Sequence, residues 1–159
     1  MRICLFAGLL LLSGSLGAQT PEEWIRLGEQ VHGGFGTLIP LGIRIGLDAR
    51  ERLKAEPREL DVTYRDGSGT PCPCVADGIL IATRASPGQG SLRIAAEPAP
   101  AGFAGEVLVR HRRTGEQLRY RIPLAAYGQI LQWNKGTTPA ERYKLVMEAP
   151  SPFEVEPVR

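Results

Sequence analysis

Four side chains carry the donor types from which a reactive or metal-holding site is built: His32, Cys72, Cys74 and Asp77, with His111 as a more distant addition. Imidazole and thiolate together suit a borderline or soft metal such as zinc, and a nearby carboxylate either ligates it or orients a ligand's second nitrogen. Cys72-Pro73-Cys74 admits three readings: metal or cofactor ligands, a redox or disulfide pair, or ordinary thiols. A disulfide between them closes a very small ring that Pro73 stiffens, yet an exported protein can still form one. His32 stands beside Gly33-Gly34, where missing side chains let a backbone approach a ligand closely. His32, Cys72 and Cys74 are therefore the residues expected to hold a metal, and Gly33, Gly34 and Asp77 those expected to touch a cofactor. Taken alone, Asp77 also suits a helix N-terminus, and His111 falls on the inward phase of a strand, where it reads as a core-edge histidine before it reads as a ligand. Gly33-Gly34-Phe35-Gly36 lacks the spacing and lysine of a phosphate loop, and no serine sits in a nucleophile motif, so no catalytic residue is assigned.

Composition bounds the setting of these residues. The chain has 159 residues, 43% of them apolar, and a formal net charge of +2. That apolar content excludes a disordered chain, and so small a charge gives no reason to expect nucleic acid or an anionic membrane surface as partner. Met1-Arg2, the apolar run Ile3 to Leu12 and the small residues ending at Ala18 have the layout of a secretory signal over residues 1–18. A run of about ten apolar residues is about half of what a membrane-spanning helix needs. The expectation is export to a periplasm or beyond the cell, with no integral membrane segment in the mature chain. Of the three cysteines, Cys4 leaves with the leader, and two are too few for a disulfide scaffold.

The elements that must position the site follow from local signals. Thr20-Pro21-Glu22-Glu23 is a capping box with proline at the first helical position, and Trp24, Leu27 and Val31 give that helix one apolar face. Thr37 to Lys54 reads as a second helix, with Pro40 in its first turn and Gly42 and Gly46 marking close approach of another helix or a ligand. Leu60, Val62 and Tyr64 alternate as a strand. A helix over Val75 to Ala82 follows Pro73, and Ser91 to Ala95 is a further strand. Glu106 to Pro123 is a hairpin turning at Thr114-Gly115, with arginines alternating against apolar residues. Leu124 to Trp133 and Pro139 to Met147 are helical. The expected fold class is α+β: a single mixed domain over residues 19–149, its antiparallel sheet packed against helices, followed by a proline-rich tail over residues 150–159.

Several of these segments together resemble a known family. His32-Gly-Gly-Phe-Gly-Thr-Leu-Ile-Pro-Leu-Gly42, Cys74-Val-Ala-Asp77-Gly-Ile, Thr83-Arg-Ala-Ser-Pro-Gly-Gln-Gly90 and the Arg113-Thr-Gly115 turn are similar, in order, to the motifs of the FmdE-like family, named for a component of formylmethanofuran dehydrogenase. The resemblance covers roughly residues 24 to 124. It implies a mixed alpha/beta domain, commonly a homodimer, with a metal-binding cleft made from a histidine-bearing glycine loop and cysteines. By similarity His32 matches the loop's first histidine, Gly42 its helix glycine, and Cys74 with Asp77 the Cys-x-x-Asp motif. The chain departs from the pattern at Gly34 and Gly36, where the family has a second histidine and a cysteine, and at Ala85, where a later cysteine is usual.

The functional expectation from sequence is an exported protein that binds a metal, zinc or another transition metal, or a small cofactor in a divergent His/Cys cleft. Two alternatives use the same surface. In one, Cys74 is a redox thiol favoured by His32, acting with a redox partner protein; in the other, the domain has lost its chemistry and binds a partner protein.

Overall fold

The structure, a computed structural model, describes residues 19–150 and 152–158. The leader expected over residues 1–18 lies outside the described residues. Among those described, five α-helices and five strands follow the order α1 (Pro21–His32), α2 (Leu38–Leu53), β1 (Leu60–Asp66), α3 (Cys74–Thr83), β2 (Leu92–Ile94), β3 (Phe103–His111), β4 (Gln117–Pro123), α4 (Leu124–Gln132), α5 (Pro139–Glu148) and β5 (Glu154–Val158). A single 3-10 turn at Pro87–Gln89 leads into β2. The fold class is α+β, as composition and periodicity led us to expect.

The strands form one sheet in the order β2-β1-β3-β4-β5. It is mixed rather than purely antiparallel, because β1 pairs with β2 in parallel while the other neighbours are antiparallel. A parallel pair needs a crossover, and α3 supplies it. This places the start of α3 just beyond the C-terminal end of β1, on the side of the sheet where open α/β layers bind their ligands.

Alternation sorts the sheet's two faces. Leu60, Val62 and Tyr64 in β1 lie opposite His111, Val109 and Val107 in β3, and all six are buried under the helices. Asp61, Arg65, Arg110, Arg119 and Arg121 point the other way and form ion pairs across the strands. On that outer face the Glu106 carboxylate is nearly buried between Arg65, Arg119 and Arg121.

Two glycines decide how the helices stack. A Cβ on Gly42 would overlap the Val75 carbonyl oxygen, and one on Gly78 would overlap the Ile39 carbonyl oxygen. The backbones of α2 and α3 therefore touch, with the two glycines facing each other. The close approach expected at Gly42 is that of a helix, and Gly46 repeats it against Ala82.

Three further expectations are corrected. Val31, placed on the buried face of α1, is 44% exposed, whereas Gly28 packs against Phe35 and Ile39. The hairpin's first strand begins at Phe103, ahead of Glu106, with a bulge at its start. The segment after Pro150, expected to be an unattached tail, provides β5, which pairs with β4 from Gln117↔Val158 to Arg121↔Glu154. Pro157 is tolerated because β5 is an edge strand, where a missing N–H leaves no neighbour unpaired.

Candidate functional site

His32 is the last residue of α1, and the chain leaves that helix through Gly33, whose φ of 84° lies in the left-handed region and whose N–H donates to Glu29 O. Gly33 thus serves as a helix cap. A Cβ at Gly33 or at Gly34 would meet nothing within 4 Å, so the loop is open to a visiting group, but neither glycine touches one of the site's side chains. The rest of the loop is held from the far end of the chain. Asn134 Oδ1 accepts from Thr37 N and its Nδ2 donates to Thr37 Oγ1, while Arg142 donates to Phe35 O and Asn134 O. Neither Asn134 nor Arg142 stood out in the sequence.

Asp77 lies in the first turn of α3, where its charge suits the positive end of the helix. It also reaches across to α1: His32 Nδ1 sits 2.8 Å from Asp77 Oδ2. An ionised carboxylate accepts only, so the Nδ1 proton belongs to His32, and Nε2 is the ring nitrogen left for other chemistry. The pair is about one-third exposed. Asp77 therefore orients His32, one of the two roles its position suggested.

Cys74 is the first residue of α3, three positions before Asp77, so the two share a helix face. Its sulfur is bonded to that of Cys72. Of the three readings open for this pair, the structure realises the disulfide. Cys74 is only 8% exposed and belongs to the core, whereas Cys72 packs at the core's edge between exposed Pro71 and Pro73. Disulfide, imidazole and carboxylate form one surface at the α1–α3 junction, above the end of β1.

The residues present do not fit a metal in this state. Sulfurs bonded to each other offer no thiolate, and thiolate is the form that ligates. His32 and Asp77 are turned to each other, and no group of three or more His, Cys, Asp or Glu side chains converges among the described residues. His111 contributes nothing here. It sits at the opposite end of β1, about 20 Å away by strand rise, where its Nδ1 accepts from Arg113 N and Thr114 N in the hairpin turn.

A second polar cluster lies where β1 ends. Tyr64 donates its hydroxyl to Asp66 Oδ1 at 2.7 Å, and the buried Tyr127 hydroxyl nearby has no partner. Burial raises both phenols above the ordinary tyrosine range, and the Asp66 charge adds to it. A groove of about 990 Å³, lined by Trp24, Arg50, Lys54, Arg84 and Tyr143 among others, contains none of the site residues.

Fold and site together define an α+β domain with a disulfide–histidine–carboxylate surface at the junction of two helices. Residues 31–150 match the family model described as FmdE, molybdenum formylmethanofuran dehydrogenase operon. The chain belongs to this family. The match takes in α4 and α5, beyond the stretch in which the motifs were recognised. No curated protein matches the chain. The family description links its members to a molybdenum enzyme's operon, and among the described residues no helix is long and apolar enough to cross a membrane.

Proposed function

We propose that the domain is an exported thiol–disulfide redox protein, in which Cys72 and Cys74 cycle between disulfide and dithiol. The observation that carries this reading is the Cys72–Cys74 disulfide itself, which spans a sequence separation of 2. Loop-closure stabilisation grows with loop length, so a bond across so short a segment adds little to the fold. A disulfide of small structural value, set at a helix N-terminus beside an oriented histidine, is suited to exchange. Residues 1–18 support the same reading, since export would place the pair where disulfides form and persist.

Metal or small-cofactor binding through His32, Cys72 and Cys74 becomes available only once the pair is reduced. It is the competing reading, and the family description favours it. The redox reading is tested by following oxidation of dithiothreitol by oxidised glutathione with and without the protein. Acceleration that disappears in Cys72→Ser supports it. A pair that reduces only on unfolding, or a folded protein that leaves the rate unchanged, refutes it.

A further inference from the structure

We infer that the two sulfurs have fixed and different parts, Cys72 being the atom attacked by a substrate dithiol and Cys74 the group that leaves. The inference rests on the redox reading above and specifies its chemistry. Attack at sulfur needs an open approach, and the two sulfurs differ in it: Cys74 is 8% exposed and part of the core, while Cys72 lies outside α3 between two exposed prolines.

A second feature points the same way. Cys74 is the first residue of α3, and its N-cap is Pro73, which has no side-chain acceptor to give. The Pro73 carbonyl accepts from Ala76 N, but no side chain caps this helix start. Negative charge on Cys74 Sγ is therefore formed at the uncapped positive end of a ten-residue helix. Cys72 lacks that position. The accessible sulfur and the sulfur better able to carry charge are different atoms, as exchange requires, because a stabilised thiolate leaves faster.

The steps balance without any further group. A substrate thiolate attacks Cys72 Sγ, a substrate–Cys72 bond forms as the Cys72–Cys74 bond breaks, and the electron pair goes to Cys74 Sγ. The substrate's second thiol, deprotonated, then attacks its own sulfur in the mixed disulfide and displaces Cys72 as thiolate. The substrate dithiol is oxidised to a disulfide, the protein gains two electrons, and the two substrate protons end on solvent or on the new thiols. Because α3 stabilises the reduced form, the substrate class is a reduced dithiol and the protein is its oxidant.

Reduced glutathione, a monothiol, stops this sequence after the first step. The oxidised full chain is mixed with it, quenched in acid, alkylated and mapped by mass spectrometry. About tenfold more glutathione on Cys72 than on Cys74 is expected, with alkylated Cys74 as its counterpart. Glutathione mainly on Cys74, or shared equally, overturns the assignment while leaving the redox function standing; no adduct at all removes both. As a second measure, ultraviolet thiolate absorbance is titrated in Cys72→Ser and Cys74→Ser. The Cys74 thiol is expected to ionise about one pH unit below that of Cys72, and the opposite order overturns the assignment. Should Cys74→Ser fail to fold, the glutathione map of the unaltered chain decides alone.

Discussion

His32 and Asp77 are separated by 45 positions in the chain, and their side chains meet at 2.8 Å between Nδ1 and Oδ2. The contact joins the last residue of α1 to the first turn of α3, the helix that also begins with Cys74. One carboxylate thus fixes a histidine tautomer and lies on the same helix face as one half of a disulfide. Recognition, proton transfer and sulfur chemistry share a single junction.

Replacing Asp77 by Asn removes the charge that orients the imidazole while keeping the shape. The pair is about one-third exposed, so its contribution to folding is small, below about 1 kcal/mol. Exchange chemistry is more sensitive, because proton transfer depends on which ring nitrogen carries the proton. We expect unfolding by denaturant to be nearly unchanged and dithiol oxidation to fall roughly tenfold to a hundredfold. A loss of stability with unchanged turnover would make the pair merely structural.

Gly42 and Gly78 bring two helix backbones into contact, and neither position has room for a methyl group. Gly42→Ala forces α2 and α3 apart and is expected to destabilise the fold by about 3 kcal/mol. Gly128 in α4 is the control, exposed and with nothing within 4 Å of an added Cβ. Gly128→Ala should stabilise by roughly 0.5–1 kcal/mol through helix propensity. Thermal unfolding of the two variants reads both signs.

What the sequence made legible was mostly local. Thr20 with Glu23 and Thr138 with Glu141 form capping boxes in the structure because a cap needs only residues three apart. The strand phases of the hairpin were equally readable from alternation. Gly42 announced a close approach, but its partner Gly78 is set by tertiary packing and has no periodic mark. The parallel pairing of β2 depends on where α3 returns the chain, and Pro150, Pro152 and Pro157 disguised β5 because composition does not distinguish an edge strand from a loop. In the site, motif resemblance singled out His32, Cys74 and Asp77. Asn134 and Arg142 stayed hidden because hydrogen bonds that reach about a hundred positions along the chain carry no local signal.

Tyr64 and Tyr120 make the fold sensitive to alkali. Burial first, then hydrogen bonds to Asp66 and Asp48, raise both phenols far above 10.0. With the folded value raised, this stabilisation is fully present below about pH 10 and declines above it, because the unfolded chain releases phenol protons that the folded chain keeps. Stability should fall by about 1.4 kcal/mol per pH unit for each tyrosine. Urea unfolding at about pH 8 and at about pH 11 should show a shallower decline in Tyr64→Phe and in Tyr120→Phe; an unchanged slope in both would place the alkaline loss elsewhere.

Phe153 tests whether β5 belongs to the folded unit. Its ring meets Tyr120 edge-on, with centroids 5.4 Å apart, and Arg44 lies over its other side at 5.8 Å. The same Arg44 donates to Val146 O and Ala149 O at the end of α5, so the approach to β5 is tied to α2 twice. Phe153→Ala is expected to lower stability by about 2 kcal/mol, less than for a fully buried phenylalanine. Hydrogen exchange should show faster amide turnover along the β4–β5 pairing, whereas an unattached tail would leave β4 as protected as before.

Zinc separates the redox reading from the metal reading most directly. In the oxidised chain Cys72 and Cys74 are bonded to each other, and His32 with Asp77 offers two donors where a closed zinc site takes four. Excess zinc should therefore leave thermal unfolding of the oxidised protein unmoved. A ligand at one hundred times its dissociation constant stabilises by about 2.7 kcal/mol, so real binding would be plain in the melting curve. After reduction the outcome discriminates. If stabilisation by zinc then appears and is lost in His32→Ala, the dithiol is a metal site and the disulfide its closed form. If the reduced protein also ignores zinc, sulfur exchange is what the junction of α1 and α3 is built to do.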